Sequence, residues 1–179
     1  MVVQPDRTVP GVDAWLAKKL GVSDMTAEVL VSNETSPRAF SEGEALIAIL
    51  RGINFNEGAD PDDMIALQLW ADKNFVISLR RRHMQSPRQV LADLEQGHGP
   101  HSSGELVAEL AEKLVLNMNQ RIVAMNDRID VLEVDNVGLS MEAKLDEIAD
   151  IRRSCLAMKR YMSPQFDALQ QIQNAAPDW

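Results

Sequence analysis

The spacing of apolar positions changes near residue 102, from short segments broken by turns to two long helical stripes. Val12, Trp15, Leu16 and Leu20 recur every three or four residues and predict a short helix that Gly21 ends. Ser23 caps a second short helix running to about Val31. Gly43 marks a turn. Ala45–Leu50 is then apolar at every position, which predicts a central strand covered on both faces. Ile65, Leu67 and Leu69 alternate with Ala66, Gln68 and Trp70. Asp72-Lys73-Asn74 turns the chain, and Phe75, Ile77 and Leu79 alternate again, giving a β-hairpin. Ser86 reads as a helix cap with Pro87 at the first helical position and Gln89 closing a capping box; this helix ends near Gly97.

Residues 97–103 form the clearest linker. Ser102 and Glu105 make a second capping box. Leu106, Leu110, Leu114, Met118, Ile122, Met125, Ile129 and Leu132 then mark a stripe with about 3.7 residues per step, near the unstrained helical period. Around 30 residues at 1.5 Å each make a helix about 45 Å long. Asn136-Val137-Gly138 breaks it and Ser140 caps the next helix. Met141, Leu145, Ile148, Ile151, Cys155, Met158 and Met162 follow at an average of 3.5, a seam period that asks for an antiparallel partner helix. An αα-hairpin with Leu114 and Leu145 in its core is the expected arrangement. Ser163-Pro164 kinks or restarts the second helix. Phe166, Leu169 and Ile172 continue its stripe, and Trp179 lies exposed beyond it. The pattern divides the chain into an α/β sheet portion, 1–102, and a long helical hairpin portion, 103–179.

Composition narrows the function. Apolar residues make up 45% and charged residues 25% of 179 positions, ordinary for a globular fold. The net charge of −9 argues against a nucleic-acid partner, which needs a basic face, and permits attraction of cations. The longest apolar runs are about six residues, short of the roughly 20 a membrane helix needs. A single cysteine, Cys155, excludes an internal disulfide framework and fits a reducing compartment; on the apolar stripe it reads as a packing residue. No secretory signal is visible at the N-terminus.

No phosphate-binding glycine loop, nucleophile elbow or other catalytic constellation is present, so the chain reads as a non-enzyme without a bound cofactor. His98-x-x-His101 has metal-ligand spacing but lacks a local third ligand, and its glycine and proline neighbours equally suit an exposed linker. Asp60, Asp62 and Asp63 cluster in one loop. Turn chemistry explains Asp60; weak, hydrated binding of a divalent cation is the other reading. Glu105, Glu109, Glu112, Asp127, Asp130, Glu133, Asp135, Asp146, Glu147 and Asp150 give the long helices an acidic side, either solvated or cation-collecting. The run Arg80-Arg81-Arg82-His83 leaves a strand and reads as a solvated patch or as an anion or inter-subunit contact.

The segment Leu50–Met64 (LRGINFNEGADPDDM) resembles the LRGVNLNPGADPEDM signature of ZntB-type members of the CorA family of divalent-cation transporters. Leu69-Trp70 and Val76–Arg82 follow at the family spacing. Glu34–Arg38 (ETSPR) is similar to the family's ETRPR segment, and Lys159–Leu169 to its RRYLAPQREAL helix. The resemblance implies an α/β/α layered domain, a mixed sheet followed by long antiparallel helices. It also implies a homopentamer whose long helices line a cytoplasmic funnel at the inner membrane, above a pore that moves zinc or magnesium. Gly-Met-Asn, the family's pore-mouth motif, is absent from these residues, as is any membrane helix. The resemblance therefore points to the cytoplasmic part of a longer transporter, with divalent cations as its only, weakly held ligands. A stand-alone scaffold or metal-sensing module on the same fold is the alternative.

Overall fold

The structure is a computed structural model that describes residues 2–3, 5–60, 63–134, 138, 140–175 and 179. In chain order the elements are β1 (Val2–Val3), α1 (Val12–Leu20), α2 (Asp24–Val31), β2 (Arg38–Glu42), β3 (Ala45–Gly52), β4 (Ile65–Ala71), β5 (Val76–Leu79), α3 (Gln85–Glu95), α4 (Ser103–Glu133) and α5 (Met141–Asn174). The strands form one mixed sheet in the order β1-β5-β4-β3-β2. β1 runs parallel to β5, and every other neighbouring pair is antiparallel.

An all-apolar strand must be covered on both sides, and β3 is. Its Ala45 and Ile47, with Trp70, Ile77 and Leu79, meet Leu16 of α1 and Ala27 and Leu30 of α2. Leu46, Ala48 and Leu50, with Leu67, Leu69 and Val76, meet Val90 of α3, Leu106, Leu110 and Leu114 of α4 and Ala168 of α5. The result is an α/β/α sandwich, as the resemblance implied. The helical portion shares this second core with the sheet. A third, methionine-rich cluster joins Ile53 and Met64 to Met118, Met125 and Met158 below the sheet. Methionine's flexible thioether suits such an irregular gap.

The approach of α4 to the sheet fixes one glycine. A Cβ on Gly52 would lie 2.6 Å from Leu114 Cδ2, so a larger residue there requires the buried Leu114 side chain to give way. Three of the four serine caps form as predicted. Ser23 Oγ accepts from the Thr26 amide at 3.2 Å, Ser102 Oγ from Glu105 at 3.1 Å and Ser140 Oγ from Ala143 at 3.2 Å. Two side chains of α5 also bond to sheet backbone. Gln165 accepts from the Arg51 amide at 2.6 Å and donates to the Arg51 carbonyl at 2.9 Å, while Gln171 accepts from the Ala39 amide at 3.0 Å.

Several expectations need correction. α3 begins one residue earlier than its serine signal, and Met84, which offers no side-chain bond, stands at the cap. Ser86 is buried and its hydroxyl accepts instead from Asn117 of α4 at 2.9 Å, so tertiary pairing outcompetes capping. Phe75 stays in the exposed turn. α5 continues through Pro164 without restarting. Trp179 is not free. Its indole N–H donates to the Glu44 carbonyl at 3.1 Å and its ring joins the sheet core. Residues 135–137 of the expected break lie outside the described residues.

The largest correction concerns the seam. Leu114 is fully buried, but Leu145 is 58% exposed and Ile148 51%. Ile151, Ser154, Met158, Gln165 and Ala168 are the buried positions of α5. Residues 141–148 of the assumed stripe therefore lie on another side of the helix from Ile151 and Met158. A 3.5-residue period drifts by about 20° per heptad on a straight helix, and here it joined two faces into one.

Candidate cation-handling surface

The two linker histidines do not converge. Residues 97–102 connect α3 to α4, and His98 lines a cleft with Glu105, Glu109, Glu112 and Lys113. His101 lines a different cleft, with Lys73, Asn74 and Leu91. The His101 amide donates to the Glu105 carboxylate at 2.7 Å, so Glu105 helps to close the start of α4. Among the described residues, no three His, Cys, Asp or Glu side chains are arranged to hold a metal ion.

The acidic loop divides differently. The Asp63 amide donates to the Asp60 carbonyl at 2.9 Å, the closing bond of the predicted turn. Asp62 lies outside the described residues. The Asp63 carboxylate meets Arg82 Nη1 at 2.6 Å.

Cations already answer part of the acidic side of the helices. Arg128 on α4 reaches Glu147 through Nε and Asp150 through Nη2, both at 2.6 Å, and ties the two long helices together. Those bonds, Glu147 first, hold the Arg128 guanidinium above its ordinary value. The same bond from Arg128, helped by Arg153 at 3.2 Å, holds the Asp150 carboxyl below its ordinary range. Lys113 bonds Asp93 at 2.7 Å and lies 3.7 Å from Glu109. The bond to Asp93 holds its ammonium above the usual lysine value. Among the described residues, Glu112, Asp127, Asp130, Glu133 and Asp146 find no ion-pair partner. What the arrangement offers is a diffuse negative field with carboxylates free to accept water-bridged cations, rather than a chelating cage.

Sequence reasoning missed the group with the densest polar bonding. Arg51 leaves β3 and donates from Nε to the Thr35 carbonyl at 2.9 Å, from Nη1 to the Met64 carbonyl at 2.6 Å, and from Nη2 to the Thr35 hydroxyl. Its guanidinium carbon stands 4.4 Å from the centre of the Tyr161 ring on α5. A lone arginine closing an apolar strand was the available signal.

The model of the family described as CorA-like Mg2+ transporter protein matches residues 6–179. The chain belongs to this family. It is 36% identical over 177 residues to the divalent cation transporter CmaX of Pseudomonas aeruginosa, covering 97% of this chain and 53% of that protein. It is 33% identical over 174 residues to the zinc transport protein ZntB of Pectobacterium atrosepticum, with the same coverage. The structure of full-length CmaX superposes with a TM-score of 0.86 at 33% identity, over 96% of this chain and 53% of that one. The cytoplasmic domain of ZntB from Vibrio parahaemolyticus superposes at 0.87 over 99% of this chain and 70% of that one; at 22% identity this speaks to fold. The chain thus spans about half the length of the curated relatives it matches. Among the described residues, no helix is long and apolar enough to cross a membrane.

Proposed function

We propose that these residues form the cytoplasmic vestibule of a CorA/ZntB-type transporter of divalent cations, zinc or magnesium, at the inner membrane. The observation that carries this reading is the match of 97% of the chain to a divalent cation transporter at 36% identity. The domain does no bond chemistry. Its carboxylates raise the local concentration of hydrated cations, and the pore lies in a partner region of the longer protein. Weak cation binding at the His98 cleft, alongside Glu105, Glu109 and Glu112, belongs to the same proposal.

The bare apolar side of the hairpin supports assembly. Leu116 and Val123 on α4, and Leu145, Ile148 and Leu156 on α5, are half exposed or more. Such surface is uncommon on a monomer and suits contact between copies, here a homopentamer.

The test is direct. The open reading frame is read past Trp179 and its product is reconstituted in vesicles holding a zinc- or magnesium-sensitive dye. Two apolar stretches of about 20 residues and a cation-dependent signal are expected. A stop codon at this point would overturn the reading in favour of the stand-alone module.

A further inference from the structure

Four arginines from three separate parts of the chain meet at one cleft beside the sheet. Arg7 follows β1, Arg51 ends β3, and Arg81 and Arg82 follow β5. With Asn33, Thr35, Asp63 and the start of β4, they line a cleft of about 160 Å³. In a chain of net charge −9 this convergence is against the overall balance. Among the described residues, four guanidinium groups and one carboxylate line the cleft; that carboxylate is bound to Arg82, and Asp6, outside the lining, offsets part of the charge at Arg7.

The other three arginines have no ion-pair partner among the described residues. Arg7 is anchored through Nη1 to the carbonyls of Val31 and Ser32. Its backbone is fixed by a 3.0 Å bond from its amide to the Arg80 carbonyl. Arg51 is anchored to carbonyls and a hydroxyl, as described above. Anchoring by neutral acceptors orients these groups without neutralising them. Burial, then the charges of Arg81 and Arg51, hold Arg7 below its ordinary value, so the cluster is under mutual repulsion.

We infer that this cleft is a binding site for one compact tetrahedral oxyanion, a phosphate group, held by Arg7, Arg51, Arg81 and Arg82. The planar guanidinium fork matches two phosphate oxygens at once, which a monatomic anion cannot exploit. The volume lies below the roughly 300 Å³ at which pockets for larger organic ligands begin, so a nucleotide base would stay outside. The bound group would also reach the long helices. Arg51 contacts the Tyr161 ring, and its backbone is clasped by Gln165, both on α5. The inference does not depend on transport by the longer protein.

Calorimetric titration of residues 1–179 with inorganic phosphate, and in parallel with glycerol phosphate, at fixed ionic strength tests it. Saturable binding of either supports the site, and the tighter of the two tells free phosphate from a phosphoester headgroup. Arg81→Ala, which removes an exposed side chain with no ion pair, should raise Kd about tenfold. Arg153→Ala, at another exposed arginine, on α5, should leave Kd unchanged. Amide resonances of residues 33–35, 64–66 and 81–82 should shift on binding. No saturable binding of either ligand, equal weakening by the two substitutions, or displacement of phosphate by chloride at equal concentration would each overturn the inference.

Discussion

The two ends of the helical hairpin are built from the same kinds of residue and are held by different physics. Near the sheet, α4 and α5 bury Leu106, Leu110, Leu114 and Ala168 in a core shared with four strands. Farther out, past the methionine cluster, Leu145 and Ile148 face solvent and Arg128 ties the helices together. Apolar burial, at roughly 25 cal/mol per Å², secures the first region. Partly exposed ion pairs, worth about 0–1 kcal/mol, hold the second. A helix can therefore continue well beyond its own core when its outer surface is reserved for something else.

The largest contrast is a pair of truncations. Leu114→Ala should cost about 2–5 kcal/mol on denaturant titration, because it opens a cavity at a fully buried site. Leu145→Ala should cost less than about 0.5 kcal/mol in the monomer. Comparable losses would erase the distinction between the two ends.

Gly52→Ala comes next. The added methyl meets Leu114 Cδ2 at 2.6 Å in a packed layer, and overpacking of this kind costs about 1–3 kcal/mol. An unchanged midpoint would mean that α4 can shift away from β3.

A smaller effect lies in the outer region. Arg128→Gln should destabilise by roughly 0.2–1 kcal/mol, and the loss should shrink as salt rises. The paired Asp150 titrates below its ordinary value of 3.8. Its contribution is thus complete above that value and disappears as pH falls through the lowered folded-state value. Arg128→Gln should flatten this acid limb, and an unaltered limb would remove Asp150 from the account.

Smallest for the fold, yet decisive for the purpose of the outer surface, is Leu156→Asp. At a position 58% exposed it should move the monomer's stability by less than about 0.5 kcal/mol. Light scattering across a concentration series should show it blocking self-association. If the wild-type chain stays monomeric at every concentration, the outer apolar surface serves another role.

The central layer was legible because Ala45–Leu50 carries its burial in composition, and the capping serines act within four residues of their targets. β2 escaped notice because Arg38–Glu42 mixes two charges with one serine, and β1 because it has two residues. Ser86 misled because the hydrogen-bonding partner that outcompetes its capping role, Asn117, is 31 residues away. The second apolar face of α5 was hidden by averaging over one period. Of the candidate site, the acidic side of the helices could be read directly. The separate clefts of His98 and His101 could not, nor could the arginine cleft, whose arginines come from three distant segments.

The carboxamides of Gln165 and Gln171 have a consequence for how copies of this chain can meet. β2 is the last strand of the sheet, and β3 extends past the end of its pairing with β2 at Arg38 and Ile49. Unsatisfied backbone at such places invites recruitment of a foreign strand and aggregation from there. Here the Ala39 amide, and the amide and carbonyl of Arg51, are already occupied by glutamine side chains from α5. Strand addition on that flank is closed off at the Ala39 and Arg51 positions.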